Sequence, residues 1–411
     1  MASRGIIPVL VLGIGISFIQ APVIYAEGTG TEQERIPLVG SEAAVLIDAD
    51  SGVVLYGKNA EQPLYPASIT KIVTAIIAIE EGNLGDIVTV SKEARHEDGT
   101  RVYLAEGEQV TLEKLVYGML INSGNDAATA IAEHMDGSKE AFAERMNRFV
   151  QENVGVTHSR FTNPSGLPDP EMVTTAEDMA LIARYAMRNE TFRKIVSTKS
   201  MPWNGQEWQS ELVNHNKMLW NYEGANGVKN GYTTAAGNTL VTSATRAGVD
   251  LIAVVLRASG SELAYSDTAK MLDYGFADFY AKTFFHENEE YVREDESAAV
   301  KWTADKAITA LVPNGTNPGS VVSQDGEVLI DTPYGEQSVG SLTETDRVEK
   351  KASEDSRTAS ERTGTEETGK HGNRALWLAL AAAGLVLFWG WLRKRRRRRR
   401  NRSYGRRDGW R

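Results

Sequence analysis

A long apolar stretch between residues 72 and 79 is the pattern around which the rest of the chain is arranged. Apolar side chains fall on nearly every face of this stretch, which predicts a helix buried all round and ending near Gly82. Ser68 would lie in its first turn, and Lys71 about one turn further on the same side. A hydroxyl beside an amine, at the start of a buried helix, is a candidate nucleophile beside a candidate base.

The pattern on either side of this helix predicts strands first, helices in the middle, and strands again before a last helix. The strands are predicted at 43–48, 53–56, 238–247 and 249–258, and the helices at 112–120, from 127, at 139–153, 175–188 and 267–280. Such an order predicts an α+β domain whose antiparallel sheet pairs segments from both ends of the domain.

Beyond residue 286 short β-like stretches alternate with Gly, Pro and Asn, and the chain then becomes polar and charged. We therefore expect six segments: a signal peptide (1–26), a catalytic domain (40–282), a small β-rich domain (286–342), a disordered linker (343–374), a transmembrane helix (375–392) and a basic tail (393–411).

The two termini indicate export and anchoring. A cation at Arg4, an apolar core at 6–19 and a small residue at Ala26 are typical of a secretory signal, with an uncleaved anchor as the alternative. Residues 375–392 hold no charge and would span about 27 Å as a helix. Twelve basic residues follow this segment, which predicts a cytoplasmic tail, a single-pass protein of the cell membrane and a catalytic domain outside.

Composition excludes several kinds of chemistry. The chain has no cysteine, so disulfides and thiol catalysis are excluded, and its six histidines show no metal-binding spacing. We expect no metal and no cofactor. The net charge is −10, and the basic tail contributes +11, which leaves about −21 on residues 1–392. This acidic body argues against nucleic acid as a partner.

Three polar clusters carry the candidate chemistry: Ser68-Ile69-Thr70-Lys71, Ser123-Gly124-Asn125 and Lys229-Asn230-Gly231. Each cluster taken alone has a plain structural explanation, as a helix cap or a solvated lysine. Their order and placement, at a helix start, between two helices and on a strand before a hairpin, match the S-x-x-K, S-x-N and K-x-G signature. Three tryptophans between 197 and 225 either line a groove or only pack at the surface: Trp203, Trp208 and Trp220.

With these motifs, the sequence resembles the low-molecular-mass penicillin-binding D-alanyl-D-alanine carboxypeptidases (peptidase family S11) over residues 40–342 and the C-terminal anchor. The stretch Asn163-Pro164-Ser165-Gly166-Leu167 is similar to a loop of that family. The resemblance implies a penicillin-binding/β-lactamase-like transpeptidase fold, in which an antiparallel sheet packs against a helical subdomain. It also implies the partners, which are β-lactams and peptidoglycan stem peptides ending in D-Ala-D-Ala.

The resemblance also implies a role for each motif. Ser68 would be the nucleophile, Lys71 its base and Ser123 a proton relay to the leaving group. Substrate would be held by Lys229, Asn125, Asn230, Gly231 and Tyr232, with Tyr232 contributing its backbone N–H to an oxyanion hole with that of Ser68.

Two departures from the family pattern leave alternatives open. Asn230 stands where threonine is usual, and residues 260–265 lack the arginine of many relatives, with Arg257 the nearest basic residue. One alternative is a non-catalytic cell-wall or penicillin-binding protein that keeps the fold. The other is a β-lactamase, although residues 123–229 hold no convincing Glu-x-x-x-Asn element to supply its extra base.

Overall fold

The computed structural model describes residues 36–294 and 298–349. The expected signal peptide (1–26), transmembrane helix (375–392) and basic tail (393–411) lie outside these residues, as does the linker beyond residue 349. Between residues 36 and 349, no described helix combines the length and apolar character that a bilayer crossing requires.

Strands supply both ends of the described chain and helices occupy its middle. The strands are β1 (Ala43–Asp48), β2 (Val54–Lys58), β3 (Ile87–Thr89), β4 (Gln109–Thr111), β5 (Ser200–Asn204), β6 (Gln209–Val213), β7 (Ala225–Thr233), β8 (Gly237–Arg246), β9 (Val249–Ala258), β10 (Phe279–Phe285), β11 (Glu290–Glu294), β12 (Ala298–Thr303), β13 (Ile308–Pro313), β14 (Val321–Val322), β15 (Glu327–Thr332), β16 (Gly335–Ser341) and β17 (Thr343–Glu349).

The helices are α1 (Lys71–Glu80), α2 (Lys92–Arg95), α3 (Leu112–Ile121), α4 (Asn125–Asp136), α5 (Lys139–Phe149), α6 (Ala176–Met187), α7 (Glu190–Ser197), α8 (Met218–Asn221) and α9 (Ser261–Asp278). A 3-10 turn over Ala67–Thr70 leads into α1, and a π turn over Val150–Val154 follows α5.

A five-stranded antiparallel sheet in the order β2-β1-β9-β8-β7 forms the centre of the molecule. The sheet pairs N-terminal β1 with C-terminal β9, as predicted. All six residues of β1 are buried because both faces of the sheet are covered. The core on one face includes residues of α1 and α3–α7, while the core on the other joins α9 to the β-rich region.

Helix α1 is buried as its sequence predicts, from Lys71 to Ala78. Two neighbouring helices have threonine N-caps, as the sequence predicts: Thr111 Oγ1 caps α3, and Thr175 Oγ1 caps α6. The helices predicted at 112–120, 139–153 and 175–188 are therefore present on this face of the sheet, whereas α7, whose Phe192 and Ile195 belong to the same core, was not predicted.

The last part of the described chain differs from the prediction in two places. The final helix begins at Ser261, earlier than expected. It ends at Asp278 because residues 279–285 form β10 and pair with β13. Residues 343–349, expected in the linker, form β17 and pair with β12. Pairing along a neighbouring strand orders these polar residues, and a hydropathy pattern does not reveal such a partner.

Candidate active site

Ser68 lies in the 3-10 turn ahead of α1 rather than in the helix itself. In a 3-10 turn, residues three apart are eclipsed, and Lys71 Nζ accordingly donates to Ser68 Oγ at 3.1 Å. Ala67 enters this turn with a φ of +53°, a conformation that costs an alanine about 1–2 kcal/mol. The strain is local to the nucleophile, as is common at functional sites.

Lys71 is fully buried, and three groups fix its amine. Besides Ser68 Oγ, Nζ donates to Asn125 Oδ1 and to the backbone oxygen of Ser165, each at 2.7 Å. Burial, and next to it the charge of Lys229, lowers the pKa of Lys71 well below its usual range, although Asp126 and Glu97 oppose the shift. The charged amine donates to all three oxygens, whereas the neutral amine has only two N–H groups, which the two shorter bonds to Asn125 and Ser165 use. Its lone pair can then accept the Ser68 proton, so the site favours the form that a general base requires.

The second motif occupies the break between α3 and α4. Ser123 adopts a φ of +62°, and α4 begins at Asn125, two residues earlier than predicted. The side chains of Ser123 and Asn125 do not cap α4, because Gly124 occupies the N-cap position and the helix has no side-chain cap hydrogen bond. Asn125 instead bridges Lys71 and Asp98, whose backbone oxygen accepts from Nδ2 at 2.6 Å. Both side chains are buried, at 6% and 5% exposed.

The Asn163–Leu167 loop supports the nucleophile turn from the other side. Asn163 Oδ1 accepts from the backbone N–H of Gly166 at 2.8 Å and closes the loop. Gly166 has a φ of +81°, and a Cβ there would lie 1.9 Å from the backbone oxygen of Ala67. Only glycine fits where the loop approaches the backbone of the nucleophile turn this closely. The sequence indicated this loop, but it did not indicate that the backbone carbonyl of Ser165 accepts a hydrogen bond from Lys71.

Strand β7 lies directly against the nucleophile turn. A Cβ built on Gly231 would be 2.7 Å from the backbone nitrogen of Ser68 and 2.6 Å from Thr239 Oγ1. Thr239, which the sequence did not indicate, donates to the backbone oxygen of Pro66 at 2.9 Å. The side chain of Tyr232 is exposed, so its contribution to this wall is its backbone.

Lys229 is the second buried lysine of the site. Burial lowers its pKa to about 7. Nζ donates to the backbone oxygen of Asn230 at 2.8 Å and lies 3.5 Å from Asn230 Oδ1. Within the described residues, no carboxylate oxygen lies within 4.0 Å of it. When protonated, Lys229 therefore carries a positive charge that an anionic ligand can neutralise.

Arg257 and the tryptophans that the sequence singled out make none of the contacts described above for Ser68, Lys71 and Lys229. Arg257 is exposed and pairs with Glu42 at 3.3 Å, so it does not replace the missing arginine. Trp203 is fully buried in the core, while Trp208 is half-buried and contacts Tyr103 edge-on, with ring centroids 5.5 Å apart. Trp203 is therefore a packing residue, and Trp208 takes part in a small aromatic surface.

A serine bonded to a buried amine, a second buried hydroxyl and a buried lysine with no described carboxylate beside it supply the groups that a serine acyl-transfer site requires. The D-alanyl-D-alanine carboxypeptidase family model matches residues 30–260. D-alanyl-D-alanine carboxypeptidase DacF of Bacillus subtilis is 30% identical over 355 residues, which cover 78% of this chain and 91% of the relative. DacA of Haemophilus influenzae is 35% identical over 255 residues, 59% of this chain and 63% of the relative.

Solved structures agree with the sequence comparison. Penicillin-binding protein 5 from Haemophilus influenzae matches with a TM-score of 0.63 at 28% identity, over 76% of this chain and 96% of that one. A mutant of Streptomyces K15 DD-transpeptidase matches with a TM-score of 0.56 at 30% identity, over 59% of this chain and 99% of that one. The protein therefore has the penicillin-binding transpeptidase-like fold. It belongs to the D-alanyl-D-alanine carboxypeptidase family and is a serine-type hydrolase of that class, which confirms the resemblance inferred from its motifs.

Proposed function

We propose that the protein removes the terminal D-alanine from peptidoglycan stem peptides through an acyl-enzyme on Ser68. The observation that carries the proposal is the 3.1 Å hydrogen bond between Lys71 Nζ and Ser68 Oγ, with the pKa of Lys71 lowered by burial. A binding protein that had lost its chemistry would have no use for a buried, activated lysine. The intact pair therefore favours the enzyme over the non-catalytic alternative.

In the proposed acylation step, neutral Lys71 takes the Ser68 proton as Oγ attacks the carbonyl carbon between the two D-alanines. The oxyanion that forms is held by the backbone N–H groups of Ser68 and Tyr232, on either side of Gly231. Ser123 relays the proton that Lys71 has taken to the D-alanine nitrogen as the C–N bond breaks, which leaves Lys71 neutral again. Water then hydrolyses the Ser68 ester and releases the shortened peptide.

Lys229 would recognise the free carboxylate of the terminal D-alanine, with Asn230 beside it. Lys229 lacks a carboxylate partner among the described residues, and an anion in the cleft supplies one. Asn125 retains one N–H on Nδ2 that can donate to a backbone carbonyl of the substrate, since its other contacts use Oδ1 and a single N–H. β-Lactams would acylate Ser68 by the same route.

The proposed place of action is the outer face of the cell membrane. The sequence alone supports this proposal, through the apolar segment at residues 375–392, the basic tail that follows it, and the signal-like segment at residues 1–26. Protease treatment of intact protoplasts should degrade the catalytic region and leave the tail protected. Complete protection of the catalytic region would contradict this orientation.

The activity test measures D-alanine release from a peptide ending in D-Ala-D-Ala, with Ser68→Ala as the control. Release by the wild type alone supports the carboxypeptidase and its nucleophile. A stable penicillin adduct without release would indicate that the Asn230 pocket rejects this peptide. Absence of both release and adduct would favour the binding protein. Rapid turnover of penicillin would instead favour a β-lactamase.

A further inference from the structure

Thr239 is a buried threonine of β8 that stands opposite Gly231 of β7 and belongs to none of the three polar motifs. Its side chain reaches out of the sheet, and Oγ1 donates to the backbone oxygen of Pro66, 173 positions away, at 2.9 Å. Within the part of the chain that the structure describes, this is the single hydrogen bond from the central sheet to residues 65–68, the segment that carries the nucleophile.

The Thr239 hydroxyl acts at the place where β7 touches the nucleophile turn. A Cβ built on Gly231 would lie 2.6 Å from Thr239 Oγ1 and 2.7 Å from the backbone nitrogen of Ser68. The hydroxyl and the Ser68 N–H group therefore both lie close against the backbone of Gly231. A movement of the turn relative to β8 would displace the Ser68 N–H group from β7 directly.

The nucleophile turn requires support of this kind. Ala67 has a φ of +53°, and a residue other than glycine keeps such a conformation only where surrounding contacts hold it. The 3-10 turn has no side-chain N-cap of its own. Gly166 packs against the backbone oxygen of Ala67 on one side, and the bond from Thr239 to Pro66 holds the turn from the sheet.

From these contacts we propose that Thr239 is a positioning residue of the oxyanion hole. Its hydroxyl fixes Pro66, and so sets the distance between the N–H group of Ser68 on the nucleophile turn and that of Tyr232 on β7. Thr239 acts through the backbone of Ser68 rather than by contact with the substrate. This inference rests on the acylation step of the proposed function, in which both N–H groups bind the oxyanion.

The test removes the hydroxyl and nearly keeps the shape of the side chain, through Thr239→Val. Stopped-flow measurement with a fluorescent penicillin separates the dissociation constant of the first complex from the acylation rate constant k2. We expect k2 to fall about tenfold and the dissociation constant to stay within twofold, because the oxyanion forms only in the transition state. Loss of a whole donor costs about 10²–10³ in rate, and a displaced donor loses part of that.

Thr239→Ser keeps the hydroxyl and should restore k2 to within threefold of the wild type. The matched control is Thr242→Val, on the same strand. Thr242 is fully buried as well, and its hydroxyl has no hydrogen-bond partner among the described residues, so its removal should leave k2 unchanged. Because k2 is a first-order constant of the molecules that react, a fraction of unfolded protein does not lower it.

Three results would overturn the positioning role: a k2 for Thr239→Val within twofold of the wild type, an equal loss in Thr239→Ser, or an equal loss in Thr242→Val. A weaker first complex with unchanged k2 would also contradict it, since the hydroxyl would then serve binding rather than acylation.

The penicillin assay also separates this inference from the proposed function. Acylation that depends on the Thr239 hydroxyl supports the positioning role even if the wild type releases no D-alanine from a peptide. Release of D-alanine by the wild type, with a k2 that is indifferent to the hydroxyl, overturns the inference and leaves the carboxypeptidase intact. A wild type that forms no penicillin adduct and releases no D-alanine would overturn both.

Discussion

Gly231→Ala should disable acylation because the added methyl group has no room. Its Cβ would lie 2.7 Å from the backbone nitrogen of Ser68 and 2.6 Å from Thr239 Oγ1. Ordinary contact begins near 3.4 Å, so β7 and the nucleophile turn must separate by about 0.7 Å. Both neighbours resist this movement, since the turn leads into a buried helix and Thr239 is bonded to Pro66.

A shift of this size separates the two backbone N–H groups proposed for the oxyanion hole. Loss of one such donor costs about 10²–10³ in rate, or about 2.7–4 kcal/mol of transition-state stabilisation. We therefore expect Gly231→Ala to acylate with a fluorescent penicillin at least a hundredfold more slowly than the wild type. Thermal unfolding should show that the variant is still folded.

Gly319→Ala is the matched control, because a Cβ there meets no atom within 4 Å. It should acylate at the wild-type rate. An acylation rate for Gly231→Ala within threefold of the wild type, in a folded protein, would refute the assignment of this wall of the site. Equal losses in both variants would point to a general effect of the alanine.

Three further predictions concern the two lysines and the Asn163–Leu167 loop. Since the pKa of Lys229 is about 7, its charge is lost as pH rises, and kcat/KM for D-Ala-D-Ala peptides should fall up to tenfold per unit above pH 7. A flat profile between pH 7 and 9 would contradict this. Asn125→Asp places a negative charge 2.7 Å from Lys71 Nζ, which raises the Lys71 pKa and should shift the acid limb of kcat/KM upward by about a unit or more. An unmoved limb would exclude Lys71 as the base. Gly166→Ala should lower the midpoint of thermal unfolding by several degrees, because its Cβ overlaps the Ala67 oxygen, whereas Gly319→Ala should not.

Much of the site could be predicted because its motifs are local. The Ser68–Lys71 spacing, the break before Asn125 and the hairpin after Gly231 are each visible within a few residues of sequence. The partners of these residues were not visible, because they come from distant segments. The carbonyl of Ser165 lies 94 positions from Lys71, and neither a hydropathy pattern nor a propensity indicates which backbone oxygen faces an amine.

The fold shows the same division. The hairpins β1–β2 and β8–β9 follow from alternation and turn residues, and the structure has both. The β5–β6 hairpin was missed, since its strands are short, carry many polar residues and hold Pro202, which is rare in strands. Its position depends on Trp203, which packs in the core against Gly118. Tertiary packing rather than local preference decides such a segment.

The two buried lysines are coupled, and this coupling suits an exopeptidase. A charged Lys229 lowers the pKa of Lys71, so protonation of one favours the neutral, basic form of the other. In the free protein the pKa of Lys229 is about 7, so near neutral pH its charge is only partly present. A substrate carboxylate beside Lys229 raises that pKa and holds the charge. A peptide with a free C-terminus would therefore supply the ion that keeps Lys229 charged, whereas a blocked peptide would leave a buried cation unpaired.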